Sequence, residues 1–298
     1  MEQPGGAEAQ SPHEAFYLVL PYLPVSDLLS AAQVCTSFRD AVQNDVLIWL
    51  DIHVDKPLST NILDETLLLR IASKANGRMR SLALINCPRI TDQGLHRVIH
   101  TNPLITKLYL PGCTGLSPEG VVCAVETLTT PHHKLRALKI SNIHNMTKEH
   151  LESLRNCFPP DILMQKQPTY FHERSKISLS EQPSPPPIDV DLCPKCCEVR
   201  MVFDCPGEAC KQEERKCRGC RYCVVRCEDC GVCVDDEVGE AACEDSLCLK
   251  CWLLLPKCDF CNKAYCKEHA SQRPCSSAGS PGFVCSACLA DENYLEME

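Results

Sequence analysis

Apolar residues in the first fifty positions recur at helical spacing and are interrupted by prolines. Residues 14–20 are mostly apolar, Pro21 and Pro24 end that stretch, and a second apolar stripe begins at Leu28. Proline lacks the amide hydrogen that an inner helix position donates, and it disfavours helix in the residue before it. The pattern therefore predicts three short amphipathic helices, of which the last ends near Trp49.

Alternating apolar residues replace this pattern between residues 50 and 158. Four triplets of the type Leu-x-Leu or Leu-x-Ile each predict a short strand, and an amphipathic helix follows each of them as a weak internal repeat. The predicted strands are Leu50–Ile52, Leu82–Leu84, Leu108–Leu110 and Leu138–Ile140, and the predicted helices are Asp64–Lys74, Asp92–His100, Pro118–Leu128 and Lys148–Cys157.

Residues 159–191 are rich in proline, which predicts a mostly extended or disordered linker. A cysteine-rich module over residues 192–290 follows it. Twenty of the 25 cysteines lie between Cys193 and Cys288, where apolar side chains are few. Something other than a hydrophobic core must stabilise that module, and paired cysteines supply the ligands that tetrahedral zinc requires.

Most of these cysteines form Cys-x2-Cys pairs. The N-terminus has neither a basic start nor an apolar run, so we expect no secretory signal and a reducing compartment, where zinc is favoured over disulfides. Closed structural sites account for the spacing, because no cysteine has the histidine partner and apolar cleft of a catalytic nucleophile. The predicted ligands, enough for up to four zinc ions, are Cys193, Cys196, Cys205, Cys210, Cys217, Cys220, Cys227, Cys230, Cys248, Cys251, Cys258, Cys261, Cys266, His269, Cys285 and Cys288.

The last eight ligands resemble the cross-braced zinc folds of the PHD, FYVE and RING kind. The resemblance implies one site from Cys248, Cys251, Cys266 and His269 and another from Cys258, Cys261, Cys285 and Cys288. The same logic upstream groups Cys193, Cys196, Cys217 and Cys220, and then Cys205, Cys210, Cys227 and Cys230. Overlapping registers leave the upstream grouping open, because Cys220/Cys223 and Cys230/Cys233 are equally good pairs. Cys197, Cys223, Cys233, Cys243 and Cys275 are then surplus.

Charge and hydropathy exclude two classes of partner. The net charge is −9, and from Cys193 onward 13 Lys and Arg stand against 19 Asp and Glu. Binding to a phosphate backbone needs clustered positive charge, so we expect no nucleic-acid partner. No segment approaches the roughly 18 uninterrupted apolar residues of a membrane helix, so we expect no membrane partner either.

The order of residues in the first fifty positions resembles the F-box. The matching positions are Pro12, Leu20, Leu23, Pro24, Asp27, Leu28, Leu29, Val34, Cys35, Phe38, Arg39, Leu47 and Trp49. Phe38 stands where many F-boxes have tryptophan, and Ile48 is a one-residue insertion. The resemblance implies docking on a Skp-type adaptor, and through it on a cullin. The expected contact residues are Pro12, Leu20, Leu23, Pro24, Leu28, Leu29, Val34 and Trp49.

Residues 50–158 resemble the cysteine-containing leucine-rich repeats that commonly follow an F-box. Cys87 and Cys113 stand at equivalent positions after two of the strands, where we expect them to be small buried residues. About three or more units are needed for a stable stack, so four partial units imply a short arc. An irregular α/β domain is the alternative.

The sequence thus predicts a multidomain chain: an all-α F-box (11–50), a short α/β leucine-rich-repeat arc (50–158), the linker (159–191) and small zinc-stabilised irregular modules (192–290). This order resembles plant F-box proteins of the Skp-interacting-partner type. It implies a non-catalytic subunit that brings a protein substrate to a ubiquitin ligase in the nucleus or cytoplasm. The alternatives are a RING-like ligase and a PHD-like chromatin reader.

Overall fold

The computed structural model describes residues 14–56, 58–129, 135–164, 168–171, 186–212, 217–234, 239–240, 246–266 and 283–288. The chain divides into two compact units. The first unit comprises Met1–Lys166, Pro186–Leu192 and Glu198–Arg200. The second comprises Gln167–Pro185, Cys193–Cys197 and Met201–Glu298.

Short helices form the start of the first unit. They are α1 (Ala15–Val19), α2 (Val25–Val34) and α3 (Thr36–Asn44), with 3-10 turns at Leu20–Tyr22 and Val46–Trp49. Pro24 precedes α2 in extended conformation, and the Cys35 sulfur accepts a hydrogen bond from the Phe38 amide at the start of α3. Trp49 is almost fully buried, its indole donates to the Val42 carbonyl at 2.8 Å, and the Lys74 ammonium lies 4.9 Å from its ring centroid.

A four-stranded parallel sheet, in the order β1-β2-β3-β4, forms the centre of this unit. Its strands are β1 (Asp51–Val54), β2 (Ser81–Leu84), β3 (Lys107–Tyr109) and β4 (Ala137–Lys139). The helices are α4 (Leu58–Asn61), α5 (Glu65–Ser73), α6 (Asp92–Thr101), α7 (Pro118–Leu128), α8 (Lys148–Asn156) and α9 (Pro160–Met164). Leucines of the strands and helices belong to one apolar core, which includes the buried side chains of the N-terminal helices.

Successive strand–helix repeats of this sheet share the same turn. Asn86, Gly112 and Asn142 each follow a strand and each have positive φ, a conformation that glycine and asparagine tolerate best. The Asn86 amide donates to the Pro111 carbonyl, and the Gly112 amide to the Ser141 carbonyl. Cys87 and Cys113, which follow two of these turns, are completely buried. The turns therefore stack in register with the strands.

Side chains of one strand–helix repeat also help to cap the helix of the next repeat. Ser117 caps α7 by accepting from the Gly120 amide at 2.9 Å, and Asp92 of α6 accepts from both the amide and the hydroxyl of Ser117. A Cβ atom at Gly120 would lie 2.1 Å from the Asp92 carboxylate. Glycine at this position of α7 therefore leaves room for the Asp92 carboxylate of the preceding repeat.

Residues 186–192 extend the exposed edge of the sheet. Ile188 forms a parallel bridge to Leu138, and the Asp189 carboxylate accepts from the amides of Ile140 and Ser141 at 2.7 and 3.2 Å. β5 (Asp191–Leu192) then pairs with β6 (Val199–Arg200). Part of the expected linker thus adds to the first unit.

The second unit has little regular structure among its described residues. Its elements are α10 (Glu208–Gln212), β7 (Gly239–Glu240), β8 (Ser246–Leu247) and α11 (Leu249–Leu253). Isolated bridges join Phe203 to Gly219 and Arg226 to Cys233. Across the described residues of both units, no helix has the length and apolar character that crossing a membrane requires.

Candidate functional site

Sixteen cysteines of the second unit converge in four clusters. Within each cluster the four sulfur atoms lie within 4.8 Å of one another. We call them the first (Cys193, Cys196, Cys220, Cys223), second (Cys205, Cys210, Cys217, Cys233), third (Cys227, Cys230, Cys248, Cys251) and fourth cluster (Cys258, Cys261, Cys285, Cys288).

Sulfur separations in the clusters fit a tetrahedral ion. Zn–S bonds of about 2.3 Å place the sulfur atoms of a tetrahedral site about 3.8 Å apart. The separations are 3.9 Å for Cys196–Cys220, 3.7 Å for Cys230–Cys248 and 3.8 Å for Cys261–Cys285. A disulfide would need about 2.05 Å. The clusters can therefore hold metal ions that prefer four thiolates.

Backbone amides stabilise thiolates in these clusters. The Cys220 amide donates to the Cys193 sulfur at 3.4 Å, and the Cys285 amide donates to the Cys258 sulfur at 3.3 Å. Burial opposes ionisation of Cys193, but the amides that donate to its sulfur lower its pKa to about 6. At Cys285 a hydrogen bond from Tyr265 is the main cause that lowers the pKa to about 6. Metal ions bind the thiolate form, so these contacts favour binding.

The clusters correct the grouping expected from spacing. The fourth cluster contains the four cysteines that the resemblance to cross-braced folds places together, but Cys248 and Cys251 join Cys227 and Cys230, so the expected cross-brace is not formed. Cys217 joins the second cluster and not the first. Cys266 is buried but belongs to none of the clusters among the described residues, and His269, Cys243 and Cys275 lie outside those residues.

Backbone pairing explains why Cys223 and Cys233 are cluster members. The bridge between Phe203 and Gly219 separates Cys217 from Cys220, so these two cysteines reach different clusters. The Cys233 amide donates to the Cys205 sulfur at 3.3 Å, and the two sulfurs lie 3.7 Å apart. The alternative pair Cys220/Cys223 was visible in the sequence, but only long-range pairing selects it.

A second candidate site is an exposed apolar surface at the N-terminal helices. Phe16, Leu18, Val19 and Tyr22 are largely exposed, and Tyr22 reaches 86%. The Phe16 ring meets the edge of Phe38 at 6.2 Å between centroids. Large apolar side chains concentrated within residues 16–22 are typical of an interaction surface. We call these four residues the N-terminal apolar surface.

The residues expected to contact the adaptor divide into two groups. Leu20, Leu28 and Trp49 lie in the core, with exposures of 3%, 2% and 1%. Leu23, Pro24 and Leu29 are partly exposed, Val34 is exposed, and Pro12 lies outside the described residues. Helical periodicity predicts that a position is buried, but it does not show whether the chain's own core or a partner protein buries it.

Known protein families match both the N-terminal helices and the cysteine-rich part of the chain. Residues 12–55 match the F-box-like family, and residues 189–260 match the At3g27290 F-box protein C-terminal domain. The Arabidopsis thaliana F-box protein SKIP28 is 41% identical over all of this chain and 98% of its own length. F-box protein SKIP14 and F-box protein At3g27290 of the same plant are 32% and 33% identical over 85% and 80% of this chain, which span 57% and 65% of their lengths.

This chain therefore belongs to the plant F-box proteins of the SKIP type. F-box proteins are non-catalytic subunits of ubiquitin ligase complexes that bind a Skp-type adaptor through the F-box. The cysteine clusters are accordingly structural or binding features of a subunit without catalytic residues.

Proposed function

We propose that this chain is the substrate-recognition subunit of a Skp–cullin–F-box ubiquitin ligase. The N-terminal apolar surface carries the proposal, because it lies within the residues that match the F-box-like family. It binds the Skp-type adaptor together with Leu23, Pro24, Leu29, Val34 and Pro12. Leu20, Leu28 and Trp49 support the surface from the core.

The chain promotes ubiquitination of a protein substrate by proximity. Binding the adaptor at one end and the substrate elsewhere raises the local concentration of substrate lysines near a charged conjugating enzyme. No side chain of the subunit takes part in bond formation. We place this activity in the nucleus or cytoplasm.

Zinc is the metal that we assign to the four clusters. Four thiolates at tetrahedral spacing are a donor set that zinc prefers, and backbone amides satisfy the sulfurs further. Bound zinc would cross-link the second unit and supply no reaction step. The assignment predicts four ions for each chain.

The parallel sheet and its helices are interpreted as a short leucine-rich-repeat arc. The stacked turns at Asn86, Gly112 and Asn142 support this interpretation, because one such turn follows the strand in each of three successive repeats. The domain limits in this proposal are 11–50, 50–158, 159–191 and 192–290. Either the arc or the cysteine-rich module recognises the substrate.

Adaptor capture tests the proposal. Immobilised Skp-type adaptor is mixed with the full chain, with Leu18→Asp and Tyr22→Asp as single variants, and with Ile62→Asp as the control. Ile62 is 58% exposed but lies outside the N-terminal apolar surface. We expect each surface variant to weaken binding about 10-fold or more, as centrally placed apolar anchors do. Equal binding by all four proteins, or no binding by the unmodified chain, would sink the proposal.

A further inference from the structure

Arg226 is buried in the second unit, with 4% of its surface exposed. It is the one buried basic residue among those that the structure describes. Its guanidinium donates to four backbone carbonyls. These are Phe203 at 2.8 Å, Asp204 at 3.3 Å, Cys217 at 2.7 Å and Gly231 at 3.4 Å.

Among the described residues, the positive charge of this arginine has no carboxylate counter-ion. Arginine keeps its charge in proteins, and burying an unbalanced charge is costly. Within the described residues, no carboxylate lies within salt-bridge distance of Arg226. The Asp204 carboxylate is held by Arg218 at 2.9 Å and by the Thr169 amide at 3.1 Å. The buried Nε of Arg226 also has no hydrogen-bond partner among these residues.

The carbonyls that Arg226 binds belong to the segments that carry the second cluster. Asp204 directly precedes Cys205, Cys217 is itself a cluster member, and Gly231 lies two residues before Cys233. The backbone bridge between Arg226 and Cys233 completes the connection. One guanidinium therefore ties together three of the four cysteine-bearing positions.

We propose that Arg226 is the positioning residue of the metal site in the second cluster. Four thiolates around one divalent ion leave a net negative charge, which the buried guanidinium offsets. Its hydrogen bonds also hold Cys205, Cys217 and Cys233 in place before the ion binds. The inference rests on the metal binding proposed above and adds a residue outside the ligand set.

The test compares metal affinity at individual sites in the full chain. The variants are Arg226→Met, which removes the charge, and Arg226→Lys, which keeps the charge but loses the branched donor geometry. Arg78→Met is the control, because Arg78 is exposed and belongs to the first unit. Each protein is loaded with cadmium, whose NMR resonances report separate sites, and is titrated with a competing chelator. A Cys210→Ser variant assigns the resonance of the second cluster.

We expect Arg226→Met to weaken the second site by about 10- to 100-fold, the usual effect of losing a residue that supports metal ligands, and to weaken it more than any other site. Arg226→Lys should weaken it less, and Arg78→Met should leave every site unchanged. If Arg226→Met does not fold, the lysine variant decides the question.

Unchanged affinity at the second site in a folded Arg226 variant would overturn the inference, even if the variant unfolds more easily. Equal weakening of every site would do the same, because it would indicate a general effect on folding. An unmodified chain that binds no cadmium or zinc would instead refute the proposed metal binding on which this inference depends.

Discussion

The two units differ in what fills their interiors. In the first, leucine, isoleucine and valine side chains form one continuous core from Leu20 to Val190. In the described part of the second, three small apolar clusters contain two buried cysteines each, with only a few aliphatic residues beside them. The first unit can therefore be stabilised by burial of apolar surface. If the four clusters bind metal as proposed, the second unit instead depends on ions that link its cysteines.

This contrast teaches that local chain pattern has a different meaning in each unit. In the first, stability is spread over many buried side chains of one shared core, and exposed positions tolerate change. In the second, the proposed metal binding would concentrate stability at the sixteen sulfur atoms of the four clusters and at the groups that position them. A change that destabilises one unit should consequently leave the stability of the other unit unchanged.

Metal removal should have the largest effect and should affect only the second unit. Structural zinc contributes about 10–16 kcal/mol of apparent binding free energy in small zinc-dependent peptides. Chelation of the full chain should abolish hydrogen-exchange protection across the described cysteine-rich segments and leave β1–β4 protected. Protection that persists around Cys193 and Cys285 after complete removal of metal would contradict the contrast.

Truncation of a core leucine should have the opposite selectivity. Leu108 is completely buried in β3, so Leu108→Ala should destabilise the first unit by about 2–5 kcal/mol. Denaturant unfolding measures the change, and the number of bound metal ions should stay the same. Leu104→Ala at an exposed position is the control, expected within about 0.5 kcal/mol of the unmodified chain.

Gly120→Ala should destabilise the first unit by about 1–3 kcal/mol, because the new Cβ would displace Asp92 from Ser117. Helix propensity alone predicts stabilisation by roughly 1 kcal/mol, so the sign of the change is informative. Thermal or denaturant unfolding provides the measurement. The same substitution in an Asp92→Ala background should cost less, and an equal cost in both backgrounds would exclude the clash as the cause.

A surface ion pair should matter least. Arg80 and Asp51 are 2.7 Å apart but more than half of each side chain is exposed. Arg80→Ala should therefore change the free energy of unfolding by less than about 1 kcal/mol. A larger loss would show that the edge of the sheet, and not only the core, stabilises the first unit.

The elements of the first unit could be predicted because their patterns are local. Leu82 and Leu84 alternate within β2, and prolines and caps bound the helices within a few residues. The position of residues 186–192 at the edge of the sheet could not be predicted. Ile188 pairs with Leu138, but it lies in a proline-rich stretch whose composition favours a linker.

The cysteine-rich unit was predictable in content but not in grouping. Cys-x2-Cys spacing identifies pairs that can share an ion, and Cys193 with Cys196 is such a pair in the structure. Which pairs meet depends on contacts such as the bridge from Phe203 to Gly219, which no local spacing encodes. Periodicity likewise identified Leu28 as apolar and buried but not what buries it.

Native mass spectrometry of the purified full chain tests the central claim most directly, that the cysteines of the second unit form four tetrathiolate metal sites. The account predicts four divalent ions per folded chain, all released on acid denaturation, with every cysteine reduced. Two or fewer ions, or a mass lowered by disulfide formation, would contradict it.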